Sequence, residues 1–104
     1  MEINTLIDAI KNILKDKFPS LKGIYFFGSR SKSTAVEGSD YDLAIIFDEK
    51  VDWRFRDEII KSIYNFMVEN DIVLDLHIYS EKDFYTLNTP FKVKIKQEGV
   101  YFGA

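Results

Sequence analysis

Two short apolar runs constrain the fold of this chain more than any other feature. Residues 23–28 have the sequence GIYFFG, and residues 43–47 have the sequence LAIIF. Both runs are continuous and rich in β-branched or aromatic side chains, which is typical of strands buried on both faces. The sequence therefore predicts a sheet with helices packed over it.

Periodic spacing of apolar residues predicts the helices. Over residues 3–14 the apolar positions recur every three or four residues, which predicts an amphipathic helix that ends before Pro19. The same spacing predicts a second helix over residues 52–70, with Asp52 as its N-cap. A short helix is expected over residues 82–87.

The last third of the chain carries a strand signal and one ambiguous segment. Residues 73–79 alternate between apolar and other side chains, which predicts a strand with Asp75 and His77 on one face. In residues 90–98 apolar residues alternate with lysines as in a strand, but the Thr89-Pro90 start favours a helix. The order of elements predicts the α/β class, with a small mixed β-sheet flanked by helices.

Length and composition limit the number of domains and the kind of partner that can be expected. With 104 residues, 46% of them hydrophobic, residues 1–104 are expected to form a single domain. We expect a soluble, cytoplasmic protein, because the chain has no cysteine, no signal peptide and no apolar run of membrane-spanning length. The net charge of -3 argues against nucleic acid as a direct partner. The lysines at 92, 94 and 96 are expected to form a solvated face or, alternatively, a local basic patch.

Three aspartates are candidate metal ligands. Asp40 and Asp42 are separated by one residue at the start of a predicted strand, so their side chains point to the same side. Asp75 lies in another predicted strand and supplies a third carboxylate. Carboxylate oxygens suit magnesium, and a metal would relieve the repulsion of buried like charges. The sequence therefore predicts a magnesium site at Asp40, Asp42 and Asp75.

A candidate phosphate-binding segment precedes these aspartates. Gly28 and Ser29 follow a predicted strand where a helix N-terminus is expected, which would offer backbone N–H groups to an anion. The Ser29 hydroxyl adds a donor, and Arg30 and Lys32 add positive charge. The segment is suited to hold a nucleoside triphosphate beside the metal site.

Plainer interpretations exist for several of these residues. Ser29 alone is compatible with a helix cap, and the first two aspartates with a turn. Asp75 is also compatible with a charge that protects an edge strand from aggregation. We interpret His77 as structural or pocket-lining. Trp53 and Phe55 are candidates for exposed partner contacts.

Gly28-Ser29-Arg30, followed after a spacer by Asp40-Tyr41-Asp42-Leu43, resembles the signature of the DNA polymerase beta-like nucleotidyltransferase superfamily. The chain is most similar to the minimal MNT type, which often acts as the antitoxin of a HEPN ribonuclease toxin. Leu74-Asp75-Leu76 extends the resemblance to the third carboxylate strand, and residues 89–100 are similar to the end of such domains.

The resemblance implies transfer of AMP from ATP to a hydroxyl, with two Mg²⁺ ions at the site and a HEPN toxin tyrosine as acceptor. It implies that Asp40 and Asp42 hold both ions and that Asp75 serves the ion at the acceptor. The phosphate-binding residues would be Gly28, Ser29, Arg30 and Lys32. The sequence departs from the usual pattern at Ser33, where many members have glycine, and at Lys32, where many have arginine.

Three hypotheses of function follow. The first is a magnesium-dependent nucleotidyltransferase that adenylylates a partner protein as the antitoxin of a HEPN toxin. The second is a binding module that masks the toxin without catalysis. The third is transfer to a small molecule, although little of the chain remains for an acceptor-binding domain.

Overall fold

Helices and strands follow one another largely as the periodicities predict. The computed structural model describes residues 2–27, 41–86 and 89–104. In chain order the elements are α1 (Ile3–Lys15), β1 (Leu21–Phe27), β2 (Tyr41–Phe47), α2 (Trp53–Asn70), β3 (Leu74–Ser80), α3 (Glu81–Thr86), α4 (Pro90–Glu98) and β4 (Val100–Gly103). The helices predicted over residues 3–14, 52–70 and 82–87 and the three predicted strands are confirmed, whereas the helix expected after Gly28 lies outside the described residues.

The described strands form one sheet in the order β3-β2-β1-β4. β1 is antiparallel to both β2 and β4, whereas β2 and β3 are parallel. A parallel pair needs a long crossover connection, and α2 provides it. The predicted small mixed sheet flanked by helices is confirmed.

The two faces of the sheet are covered unequally. The face under α1 and α2, which we call the core face, takes alternate residues of β2, namely Leu43, Ile45 and Phe47. The opposite face, which we call the site face, takes Ala44 and Ile46 and lies under α3 and α4. Because β2 is buried on both faces, its sequence is a continuous apolar run.

The ambiguous segment before Gly99 is a helix. Thr89 is the N-cap of α4, and its hydroxyl accepts a hydrogen bond from the Lys92 N–H at 3.3 Å. Pro90 occupies the first turn, and the Gly99 N–H donates to the Ile95 carbonyl at 2.8 Å. The capping signals, and not the alternation, therefore predicted this segment correctly.

β4 was not predicted. It has four residues, and Val100 and Tyr101 are about half exposed, so the sequence carries no buried pattern there. The position of β4 explains why residue 23 is a glycine, because a Cβ at that residue would collide with the Tyr101 ring. No helix in the described ranges is long and apolar enough to cross a membrane.

Two sequence interpretations need correction. The three lysines of α4 do not share one solvated face: Lys92 is buried, with its ammonium donating to the Asp83 carbonyl at 3.0 Å, whereas Lys94 is exposed. A helix places positions two apart on different sides, which separates them. Trp53 is exposed as proposed, but Phe55 packs edge-on against Phe47 in the core.

Candidate active site

Two aspartates lie side by side at the start of the parallel strand pair. Asp42 of β2 is in register with Asp75 of β3. Residues in register on neighbouring strands point to the same face, and the next pair, Leu43 with Leu76, faces the core. Both carboxylates therefore lie on the site face, beyond the end of its small apolar cluster.

His77 lies beside the two aspartates on the site face. It lies two residues after Asp75 on β3 and is therefore on the same face, as predicted. Its Nε2 lies 3.3 Å from Asp75 Oδ2. The imidazole is half-buried, with its centroid 5.5 Å from the Phe27 ring and 5.1 Å from the Phe91 ring. His77 is thus a pocket-lining residue that contacts a candidate metal ligand.

A cavity of about 250 Å³ opens beside these groups. Its lining consists of two carboxylates, a histidine, a lysine and three apolar side chains: Phe27, Asp42, Asp75, His77, Phe91, Lys94 and Ile95. α4 supplies one wall, and Thr89 caps the N-terminus of this helix. A few polar groups on an apolar wall are typical of a small-molecule site.

The α4 wall is the part of the site that sequence reasoning missed. Phe91 is 42% exposed although it is a large aromatic residue, and its ring packs edge-on to Phe27 at 5.7 Å. The Thr-Pro cap placed Phe91 in the first turn of a helix. The sequence contains no local signal that this turn lies against β3.

The donor set fits a divalent cation. Asp42, Asp75 and His77 each offer one ligand atom, and these atoms lie within 4.8 Å of one another. Carboxylate oxygens suit hard divalent ions, and imidazole nitrogen adds affinity for transition metals. Neighbouring carboxylates repel each other, and a cation between them removes that repulsion.

The edge-strand interpretation of Asp75 remains compatible with its position, since β3 lies at an edge of the sheet among the described strands. The Asp75 side chain is 53% exposed. Protection of an edge, however, needs only a charge. It does not need a second carboxylate in register and an imidazole at hydrogen-bond distance, and Asp75 has both.

The predicted phosphate-binding residues and the first aspartate lie outside the described residues. These are Gly28, Ser29, Arg30, Lys32 and Asp40. The last described residue before them, Phe27, is the cross-strand partner of Asp42. The chain therefore leaves β1 beside the acidic pair, and the roles of these five residues stay predictions.

Comparison with protein families finds a match over nearly the whole chain. The family model of the nucleotidyltransferase domain matches residues 7–102. A proposed protein adenylyltransferase of Methanocaldococcus jannaschii is 31% identical over 104 residues, which cover 96% of this chain and 98% of that protein.

Solved structures show the same fold. A toxin–antitoxin complex with AMP-PNP is 26% identical, with a TM-score of 0.68 over 93% of this chain and 73% of that chain. A complex of the tri-AMPylated HEPN toxin of Shewanella oneidensis with its MNT antitoxin is 22% identical. Its TM-score is 0.61 over 97% of this chain and 72% of that chain.

Proposed function

The chain belongs to the nucleotidyltransferase domain family, and from that premise we propose that it transfers AMP from ATP to a hydroxyl group of a partner protein. The observation that carries the proposal is the pairing of Asp42 with Asp75 beside a cavity, with His77 at 3.3 Å from Asp75. A fold retained only for binding has no need of adjacent carboxylates.

The aspartates would have different roles, according to their positions in the site. Asp42 and the neighbouring Asp40 would hold divalent cations, Mg²⁺ in the simplest case, against the triphosphate. Asp75, which lines the cavity beside Asp42, would bind the cation that activates the acceptor hydroxyl and would take the proton of that hydroxyl. The acceptor oxygen would displace pyrophosphate in line at the α-phosphorus, and a bound pair of cations would stabilise the attacking and leaving oxygens.

The phosphate-binding segment completes the site in this proposal. Gly28 and Ser29 would bind the triphosphate through backbone N–H groups and the serine hydroxyl. Arg30 and Lys32 would add positive charge. Support comes from their position in the chain, because the segment follows directly on Phe27, which pairs with Asp42 and lines the cavity.

A HEPN-type toxin is the proposed acceptor. The M. jannaschii relative is named as a proposed protein adenylyltransferase, and the two solved structures described above are toxin–antitoxin complexes, one of them with an AMPylated toxin. The cavity supports an aromatic acceptor, because Phe27, Phe91 and His77 line it with rings against which a tyrosine can pack.

Labelled ATP tests the proposal. The chain, a divalent cation and the protein encoded by the neighbouring gene are incubated with ATP labelled at the α-phosphate. We expect label on the partner, and Asp42→Asn abolishes it because the variant lacks a charged ligand. Asp57→Asn, on the exposed side of α2, serves as the matched control.

Absence of label with the intact chain would refute transfer to this partner. If Asp42→Asn protected cells from the toxin as well as the parent does, masking by binding would be the better explanation. Label on a small molecule in the reaction, with none on the protein, would favour the third hypothesis.

A further inference from the structure

His77 is a nitrogen donor at a site for which the sequence predicted only carboxylates. Its ligand atom lies within 4.8 Å of those of Asp42 and Asp75. The chain has one histidine, so this imidazole is unique in the protein. A histidine beside two carboxylates changes the type of cation that a site prefers.

The surroundings of His77 hold its ring in place. Phe27 and Phe91 lie at 5.5 and 5.1 Å between ring centroids, with interplanar angles of 52° and 53°. The imidazole is 29% exposed. Packing against two aromatic rings restricts its rotation, while Nε2 remains within 3.3 Å of Asp75 Oδ2. The nitrogen is therefore held on the side where the carboxylates lie.

The spacing of these atoms suits joint coordination. Two ligands at right angles around a cation at about 2.1 Å are about 3.0 Å apart. The Nε2 to Oδ2 distance of 3.3 Å exceeds this by a few tenths of an ångström. A small side-chain adjustment brings both atoms onto one ion, and the Asp42 carboxylate is within reach of the same position.

We propose that His77 is a direct ligand of the cation bound by Asp42 and Asp75, and that its nitrogen raises the affinity of the site for first-row transition metals, Mn²⁺ included, relative to Mg²⁺. The inference rests on the proposed function, in which these aspartates hold a divalent cation. Imidazole suits transition metals, whereas Mg²⁺ favours oxygen ligands and retains its waters.

Pulsed electron paramagnetic resonance tests the ligand directly. The untagged chain is prepared with natural histidine and with ¹⁵N-histidine, which labels His77 alone, and each sample is loaded with Mn²⁺ and no nucleotide. A direct bond predicts nitrogen modulation of the Mn²⁺ echo that changes from the ¹⁴N to the ¹⁵N pattern. A spectrum that is insensitive to the isotope would overturn the proposal without any mutation.

Affinity measurements then test the preference. Free Mn²⁺ is followed in titrations, with Mg²⁺ as competitor, for the parent, His77→Phe and Tyr79→Phe. The phenylalanine at 77 preserves ring packing without a nitrogen, and Tyr79, two residues further along β3, serves as the control. We expect His77→Phe to weaken Mn²⁺ binding about tenfold or more, with a smaller change for Mg²⁺.

The outcomes separate this inference from the proposed function. Equal Mn²⁺ affinity of the parent and His77→Phe, with Asp42→Asn still abolishing binding, would overturn the role of His77 and leave the metal-dependent transfer intact. Absence of Mn²⁺ and Mg²⁺ binding by the parent, both without nucleotide and with a non-hydrolysable ATP analogue, would overturn both proposals. Circular dichroism checks that the variants fold.

Discussion

The two faces of the sheet differ in how much apolar surface they bury. Among the described residues, fifteen buried side chains form the core-face cluster, under helices of 13 and 18 residues. The site-face cluster has five, under helices of six and nine residues. β2 lies between the two clusters and contributes alternate side chains to each of them.

This difference shows how a small domain accommodates charged groups. Close carboxylates and a half-buried histidine contribute little to folding and oppose it where they repel. The core face provides most of the apolar burial, so the site face can be thin and open where Asp42 and Asp75 lie. Substitutions on the two faces should therefore affect different measurements.

The largest effect is expected at the acidic pair. Asp75→Asn should lower the rate of AMP transfer roughly 10³-fold, or about 4 kcal/mol, because it removes a charged ligand. The unfolding midpoint in urea should stay near that of the parent. The control is Asp57→Asn, which breaks an exposed 2.9 Å ion pair with Lys61 and should leave transfer unchanged. Equal rates in both variants would contradict the division between the faces.

Adjacent isoleucines of β2 give the most direct comparison. Ile45 is fully buried in the core-face cluster, and Ile46 is buried in the site-face cluster. Ile45→Ala should cost about 3 kcal/mol of unfolding free energy with kcat/KM retained where the protein is folded. Ile46→Ala should cost less, about 2 kcal/mol, because short helices can collapse onto the cavity.

Activity is the second measurement for this pair. Collapse of α4 onto the space left by Ile46 would displace Phe91 and Lys94 from the candidate site, so kcat/KM should fall in Ile46→Ala. If Ile45→Ala also lowered kcat/KM while remaining folded, the core face would have a part in shaping the site.

The N-caps of α2 and α4 allow the same comparison of the two faces, with smaller expected changes in stability. Asp52 caps α2 over the core face, accepting from the Phe55 N–H at 2.9 Å, and Thr89 caps α4 over the site face. Removal of either cap by alanine should cost about 1 kcal/mol. Asp52→Ala should lower only stability, whereas Thr89→Ala should also raise KM, because Phe91 lies in the first turn of α4. An unchanged KM in Thr89→Ala would show that the first turn does not shape the site.

The sequence predicted those helices and strands whose burial or capping is evident from their own residues. The continuous apolar run of β2 indicated burial on both faces, and the cap at Thr89 identified α4 despite its alternating lysines. β4 escaped prediction because Val100 and Tyr101 are exposed, so no burial pattern marks it. Short edge strands are set by pairing with a neighbour, here β1, and not by their own composition.

The position of the candidate site was predictable from the residue types that metal binding requires, and the roles of its residues stay predictions. Asp42, Asp75 and a shared face for His77 followed from a signature and from strand alternation. The wall formed by Phe91 and Lys94 depends on how α4 docks on the sheet, which no local pattern encodes. The burial of Lys92 is of the same kind, since its ammonium is satisfied by the carbonyl of Asp83 in another helix.

The smallest effect is expected from tyrosines of the site face at high pH. Burial raises the pKa of Tyr79, and partial burial together with a hydrogen bond to Tyr25 raises the pKa of Tyr85, which remains 47% exposed. Because folding favours the neutral phenols, their contribution to stability is present below about pH 10 and is lost as the pH rises through the raised pKa values. Tyr85→Phe should therefore flatten the fall in melting temperature between about pH 10 and 12, compared with the parent and with Tyr64→Phe on α2. Parallel curves for all three proteins would exclude Tyr85 as a source of alkaline instability.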